Sequence, residues 1–217
     1  MKDQSLSPAA MLEIAPDEPL PSSRADQNVQ LVERMRTDPV GAAPLLYARF
    51  APAVNRLVWR LLGADPDHND VVQHVFYRIL RQGMRLREPE RLDAWVQTIA
   101  ANTVYELLRR RQVRRLFLQG QPTEMHADLV RDVEVRDLLL RTKSVIERLP
   151  AKERMVFMLY FVEGRTLAEV AELGGYSLAT AKRRLNRANQ RFQHLLSKNP
   201  DLVELLRVKG KKHDRTE

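Results

Sequence analysis

Apolar residues recur at steps of three and four along most of this chain, and strand-like alternation appears nowhere at useful length. That period gathers apolar side chains onto one face of a helix, so each segment needs another helix to cover it. The longest run is Leu45, Leu46, Phe50, Val54, Leu57, Val58, Leu61 and Leu62, opened by Asp38-Pro39 and ended by Gly63. An aspartate side chain accepts from first-turn N–H groups, and proline suits the first helical position. Pro52 lies inside the run and predicts a kink or break there. Val29, Leu31, Val32 and Met35 mark a shorter segment before it, and Val71, Val72, Val75, Phe76, Ile79 and Leu80 a stripe after it. Gly83 and Pro89 predict a loop over 83–92. Asp93 is expected to cap a helix through about Arg115, with Trp95, Val96, Ile99, Ala100, Thr103 and Leu107 on its apolar face.

Periodicity lapses over 118–130, where Gln119-Gly120-Gln121-Pro122 reads as a linker. A helix is expected from Val133 to Leu149, stopped by Pro150. Arg154 to Glu163 is apolar on both faces and predicts a buried helix. The expected fold class is all-α, with two small helical bundles joined by a flexible linker and a helix-turn-helix in the second. The expected boundaries are a disordered N-terminal extension over 1–26, a first domain over 27–116, a linker over 117–131, a second domain over 132–199 and a tail over 200–217. The extension holds Pro8, Pro16, Pro19 and Pro21 and sustains no period. In the tail, Leu202, Val203, Leu205 and Leu206 precede three lysines, a pattern open to a helix extension, a partner contact or a frayed end.

Charge narrows the classes of partner. The 217 residues carry 36 lysines and arginines against 28 acidic residues, a formal net charge of +8. A balance of that size favours a polyanion, either nucleic acid or an anionic membrane surface. No apolar run is long enough to span a bilayer and the N-terminus lacks a secretory pattern, so a cytoplasmic protein with no membrane insertion is expected. There is no cysteine, and His68, His74, His126, His194 and His213 are scattered, so neither a metal nor a cofactor is expected. Catalytic signatures are also missing: no convergent carboxylates, no phosphate-cradling glycine loop, no paired nucleophile and base. The expectation is a protein that is not an enzyme.

Two elements concentrate positive charge. Thr166 to Leu173, Gly174-Gly175-Tyr176-Ser177 and Leu178 to Leu196 have the proportions of a helix-turn-helix. Thr166 with Glu169 forms a capping box, and Ser177 caps the second helix. On that helix Leu178, Ala181, Leu185, Ala188, Phe192 and Leu195 are expected to face the core. From Ser177 to His194 there is no acidic residue, which suits a helix entering the major groove. Ser177, Ala179, Thr180 and Arg183 would lie nearest base edges, with Lys182 and Arg187 reaching phosphates. A helical hairpin with a solvated basic face is the plainer alternative. The second element is Arg109-Arg110-Arg111 with Arg114-Arg115, read either as a nucleic-acid patch or as cations complementing a helix C-terminus.

Four stretches together resemble bacterial sigma factors of the sigma-70 family, extracytoplasmic-function (ECF) group. PLLYARFAPAVNRLVWRLLG (44–63) resembles the opening of the family's first conserved domain, and DVVQHVF (70–76) its polymerase-binding helix. DAWVQTIAANTVYELLRRR (93–111) resembles the segment that melts and reads the minus-10 element. IERLPAKERMVFMLYFVEGRTLAEVAELGGYSLATAKRRLNRANQRFQHLL (146–196) resembles the domain that reads minus 35. The resemblance implies that Asp70, Val71, Gln73 and Phe76 serve core RNA polymerase binding, with Asp70 and Gln73 on the clamp of the largest subunit. Read alone, Asp70 fits a helix-start or solvated carboxylate, and Val71 and Phe76 fit a core. The resemblance also implies that Asn102, Glu106, Arg109, Arg110 and Arg111 meet the minus-10 element. An asparagine amide offers a donor and an acceptor side by side for one base edge, though Asn102 alone reads as an ordinary polar helix residue.

The resemblance further implies promoter DNA as ligand, contacts to the polymerase clamp and to the flap of the second-largest subunit, and an anti-sigma partner. The chain departs from the family pattern at several points. His74 stands where an acidic residue is common, Glu106 where asparagine or aspartate is common, and Gly174 where an aliphatic residue is usual. Leu86 and Leu92 occupy the melting loop where aromatics are frequent, which removes a stacking surface for exposed bases. The rival expectations are a stand-alone helix-turn-helix regulator, a member that binds a partner without initiating transcription, and an enzyme acting on nucleic acid.

Overall fold

The computed structural model describes residues 23–118 and 133–204, and all regular structure among them is helical. Most of the expected extension, the expected linker and the tail beyond 204 therefore lie outside the described residues. Four helices make the N-terminal unit: α1 (Arg24–Thr37), α2 (Pro39–Leu62), α3 (His68–Gly83) and α4 (Leu92–Leu118). Four more make the C-terminal unit: α5 (Val133–Glu147), α6 (Ala151–Phe157), α7 (Leu167–Gly174) and α8 (Leu178–Ser197).

Helix starts follow local chemistry. The first helix begins inside the expected extension because Ser23 and Asp26 form a capping box. Asp38 accepts from the Gly41 N–H at 2.9 Å and caps α2, with Pro39 at the first position. Gly63, at φ +71°, ends α2. Pro52 does not break α2, which runs unbroken through both Pro44 and Pro52. Its stripe from Leu46 to Leu62 is buried against α1, α3 and α4, and that packing outweighs the backbone hydrogen bonds lost at the prolines. Asp93 does not cap α4, which begins one residue earlier behind a 3-10 turn at Pro89–Arg91. Instead its carboxylate accepts from Arg24, Asn28 and Arg49, tying the start of α4 to α1 and α2.

The segment expected to be buried on both faces behaves differently. Helix α6 starts at Ala151 and gives way at Met158–Val162 to a π turn, in which the Glu163 N–H donates to the Met158 carbonyl. The wider turn rotates Tyr160, Phe161 and Val162 out to solvent while Met155, Val156 and Leu159 stay inside. Beyond α8, Leu202 inserts against Leu138 and Val145, so this part of the tail is packed rather than frayed.

The two units do not stand apart. Met155, Val156, Leu159, Val170 and Leu173 belong to the same continuous apolar cluster as Ala101, Val104 and Leu108 of α4. Helices α6 and α7 both pack on α4, and the π turn packs on α2. Helix α4 is thus buried along two sides, one by its own unit and one by the other.

Candidate nucleic-acid and polymerase interface

Helix α3 divides its four expected polymerase-binding residues by face. Asp70 and Gln73 are exposed, as is His74. Val71 and Phe76 are interior side chains, with the Phe76 ring 4.9 Å from that of Tyr47. Only the first pair can meet a partner directly; the second holds the helix on its bundle.

Helix α4 carries the expected minus-10 residues, in three different states. Arg109 and Arg110 are exposed. Glu106 pairs with Arg78 at 2.9 Å and lies 3.7 Å from Arg110. Arg111 differs from the other two arginines: its guanidinium is held by carboxylates of its own unit. It grips Asp65 through two nitrogens, at 2.5 and 2.7 Å, and Asp67 at 2.6 Å. The Asp65 side chain is only 5% exposed. Burial pushes that carboxyl up, but the Arg111 hydrogen bonds and charge more than offset this and hold it below its ordinary value. Arg111 is correspondingly raised, by its hydrogen bond to Asp65 above all. Asn102 is half-buried and lines a groove of about 250 Å³ between the units, with Tyr105, Lys152, Gly174, Gly175, Tyr176 and Arg184 around it.

The helix-turn-helix is built as the spacing predicts. Thr166 and Glu169 close the capping box of α7, with the Glu169 carboxylate accepting from the Thr166 N–H at 2.8 Å. Gly175 takes the left-handed conformation at φ +63°. Gly174 has another reason: a Cβ there would lie 1.9 Å from the Tyr176 ring. Ser177 caps α8 by accepting from the Thr180 N–H. Ala181, Leu185, Ala188, Phe192 and Leu195 turn inward, but Leu178 does not; it is 45% exposed, one residue past the cap. Ala179, Lys182, Arg183 and Arg187 are exposed, and Thr180 is half-exposed beneath the Arg183 guanidinium, which donates to its hydroxyl at 3.2 Å. Among the described residues Lys182 and Arg187 have no carboxylate partner. Three or more free cations on one acid-free helix make a surface that attracts phosphate and can enter a groove.

The pattern of sigma-70 region 2 matches residues 46–114 and that of sigma-70 region 4 matches residues 139–191, together more than half of the chain. The chain belongs to the sigma-70 family. Among the proteins this sigma factor resembles are several named as ECF sigma factors. It is 27% identical over 165 residues to RNA polymerase sigma factor CarQ of Myxococcus xanthus, covering 76% of this chain and 95% of that one. It is 24% identical over 160 residues to ECF RNA polymerase sigma factor SigE of Mycolicibacterium smegmatis, covering 71% of this chain and 61% of that one. The fold is shared with CnrH, solved with the cytosolic domain of CnrY, at a TM-score of 0.53 and 24% identity over 81% of this chain and 99% of that one. It is also shared with the sigma factor RpoE of Bartonella quintana, solved with the anti-sigma factor NepR, at a TM-score of 0.50 and 23% identity over 72% of this chain and 97% of that one.

Sequence reasoning about this sigma factor missed a partly exposed aromatic in the first turn of α4. Leu92 is fully buried, and Trp95, assigned to the core face, is half-exposed. Trp95 lines a cavity of about 800 Å³ with Arg81, Arg85, Arg87, Met84 and Leu86. The clue was available: Trp95 stands three residues after the loop, close enough for its ring to reach back over the preceding turn. Arg184 was also missed as a positioning group. Its guanidinium sits 4.1 Å over the Tyr176 ring, fixing the turn to α8. Among the described residues no cluster of His, Asp or Glu has metal-binding spacing, and no helix is long and apolar enough to cross a membrane.

Proposed function

We propose that this sigma factor acts as a dissociable specificity subunit in the cytoplasm, with RNA polymerase supplying all the nucleotidyl chemistry. The observation that carries the reading is the outer face of α8, where Lys182, Arg183 and Arg187 are exposed with no acidic residue between Ser177 and His194. On this reading α8 enters the major groove at minus 35, with Ser177, Ala179, Thr180 and Arg183 toward base edges and Lys182 and Arg187 on phosphates. The first domain, over 27–116, holds the polymerase clamp through Asp70 and Gln73. Asn102, Glu106, Arg109 and Arg110 meet the minus-10 strand, and the Trp95 ring with its three arginines holds an unstacked base. The second domain, over 132–199, meets the flap. Two weak readers joined through one polymerase reinforce each other by effective concentration. An anti-sigma partner is part of the proposal, supported by the solved relative that carries one.

The test is a mixture of the full chain with sigma-free bacterial core polymerase. A one-to-one complex that Asp70→Ala plus Gln73→Ala abolishes is the expected result. Absence of a complex at micromolar concentration, with tight duplex binding by the chain alone, would replace this reading with a stand-alone regulator.

A further inference from the structure

Helix α4 is packed on one side by α2 and α3 and on another by α6 and α7. The pairs Arg60–Glu163 at 3.2 Å and Arg91–Glu172 at 2.5 Å tie the rim of the second joint. The remaining side is one continuous stripe. Asn102, Glu106, Arg109, Arg110, Val113 and Phe117 recur at steps of three and four and so share a face. From Asn102 to Phe117 the stripe runs about 22 Å at the rise of an α-helix. That is the length of about six base pairs of duplex. Its first part carries the residues given to the minus-10 element. The last two turns, over 112–118, carry none of them, and Phe117 lies beyond the match to the region 2 pattern, which ends at 114.

Those two turns suit a polyanion. No acidic residue occurs from Leu107 to Leu118. Arg110 and Arg114 border Val113 and Phe117, and Arg114 is exposed with no carboxylate partner among the described residues. Arg115 differs, since it turns to the C-terminal unit and donates to the Glu147 carbonyl at 3.3 Å. Val113 is 44% exposed and Phe117 is 82% exposed. A ring that open gains almost no burial from its own fold. Apolar side chains flanked by arginines are the combination with which proteins enter a minor groove, the guanidiniums on the backbone and the apolar group against the base steps. Chain order decides which DNA this is. The start of the stripe is given to minus 10, and α4 ends toward residues 119–132, which lead to the unit given to minus 35. The DNA beside the last two turns is then the paired DNA between those elements.

We propose that the end of α4 is a further DNA site, in which Arg114 holds a backbone phosphate and Phe117 presses into the minor groove of the paired DNA just upstream of the minus-10 element.

The proposal rests on the minus-10 role of α4 for its place on the promoter, and on Val113, Arg114 and Phe117 for its chemistry. Minor-groove edges carry a degenerate code, so the contact reads little base identity. It favours a step that unstacks readily, such as TA, over a stiff A-tract. Part of promoter choice then lies in DNA that neither base-reading helix touches.

The test uses holoenzyme assembled from the full chain and bacterial core polymerase. Its probes are a promoter duplex selected by that holoenzyme from a randomised pool, and a copy with uncharged methylphosphonate linkages in the spacer next to minus 10. The chain has no cysteine, so Phe117→Cys can carry an iron chelate that cuts nearby DNA. The cuts should fall in the spacer beside the minus-10 element. On the ordinary duplex Arg114→Ala should reduce the slope of log affinity against log salt by about 1. On the methylphosphonate duplex it should change nothing, because the partner charge is already gone. Phe117→Ala should bring duplexes with a TA step and with an A-tract at that edge to about equal affinity, where the unaltered holoenzyme prefers the first. Both side chains are exposed, so the melting temperature of the free chain should stay in place. An equal loss on both duplexes for Arg114→Ala, no loss on either, or cuts confined to polymerase would overturn the proposal. Asn102→Ala separates this site from the reading role it adjoins. It should alter base preference within minus 10 and leave the cuts where they are. If base preference is unchanged while the cuts stay in the spacer, the role given to Asn102 falls and the further site stands.

Discussion

Helices α4 and α8 are both long, both basic and both assigned to DNA, yet they hold their charge in opposite ways. The arginines of α8 rest on an amphipathic helix with one buried side, and Lys182, Arg183 and Arg187 stand free of carboxylates among the described residues. Helix α4 is covered on two sides, and Arg111, at the joint with the α2–α3 loop, is engaged with Asp65 and Asp67, while Arg109 and Arg110 stay exposed. A run of arginines in a sequence therefore signals a nucleic-acid surface only where the fold leaves the charges unspent. On α8 the charge is left facing solvent; on α4 part of it, at Arg111, holds the protein together.

The largest effect that would test this contrast is on stability. Arg111→Ala leaves the nearly buried Asp65 carboxylate without its partner and should cost about 3 kcal/mol in chemical denaturation. The same change should alter the acid limb. The Asp65 pKa is depressed in the folded chain, so its contribution is present above the unfolded carboxylate value of about 4 and is lost as pH falls through the lower folded value. Melting temperature measured against pH should fall less steeply below that point in Arg111→Ala. If Arg111→Ala instead left stability unchanged and only weakened DNA binding, the contrast between the two helices would collapse.

Arg183→Ala should do the reverse. It should leave the melting temperature in place and cost about 1–3 kcal/mol of holoenzyme affinity for its preferred duplex, with relaxed preference at one base position in competition against altered duplexes. Ser177→Ala removes the α8 cap and should cost about 1 kcal/mol, read as faster hydrogen exchange in the first turn of that helix. The smallest effect belongs to Lys182→Ala, which should weaken all duplexes equally and reduce the slope of log affinity against log salt by about 1.

The same contrast explains what could be read from the chain in advance. Helix α8 was legible because its apolar residues share one face and its cap, turn and charges are all local. Helix α2 was legible in extent but not in continuity, because the packing that carries it through Pro52 comes from three other helices. On α4, the stripe of Trp95, Val96, Ile99 and Ala100 was visible, but the burial of Ala101, Val104 and Leu108 was not. Their covering residues lie some fifty positions later, and no local period announces them. The ties of Arg111 were hidden for the same reason, since its carboxylates lie 44 and 46 positions upstream. Leu178 fell on the core stripe by spacing alone, yet the first turn of α8 overhangs its bundle. The π turn at Met158–Val162 shifts the phase of the apolar pattern by one residue, which a fixed helical period cannot represent.

The rim of the joint has a consequence for ionic conditions. Arg91 and Glu172 are both more than half exposed, and Arg60 is also open to solvent, so the attractions that tie the two units are screened by dissolved ions. Contacts between α8 and phosphate are screened too. Raising salt therefore acts twice, loosening the ties between the two units and weakening the attraction of α8 for phosphate. For the free chain the two effects should be separable, the first as a loss of contact between the units and the second as a falling affinity for duplex.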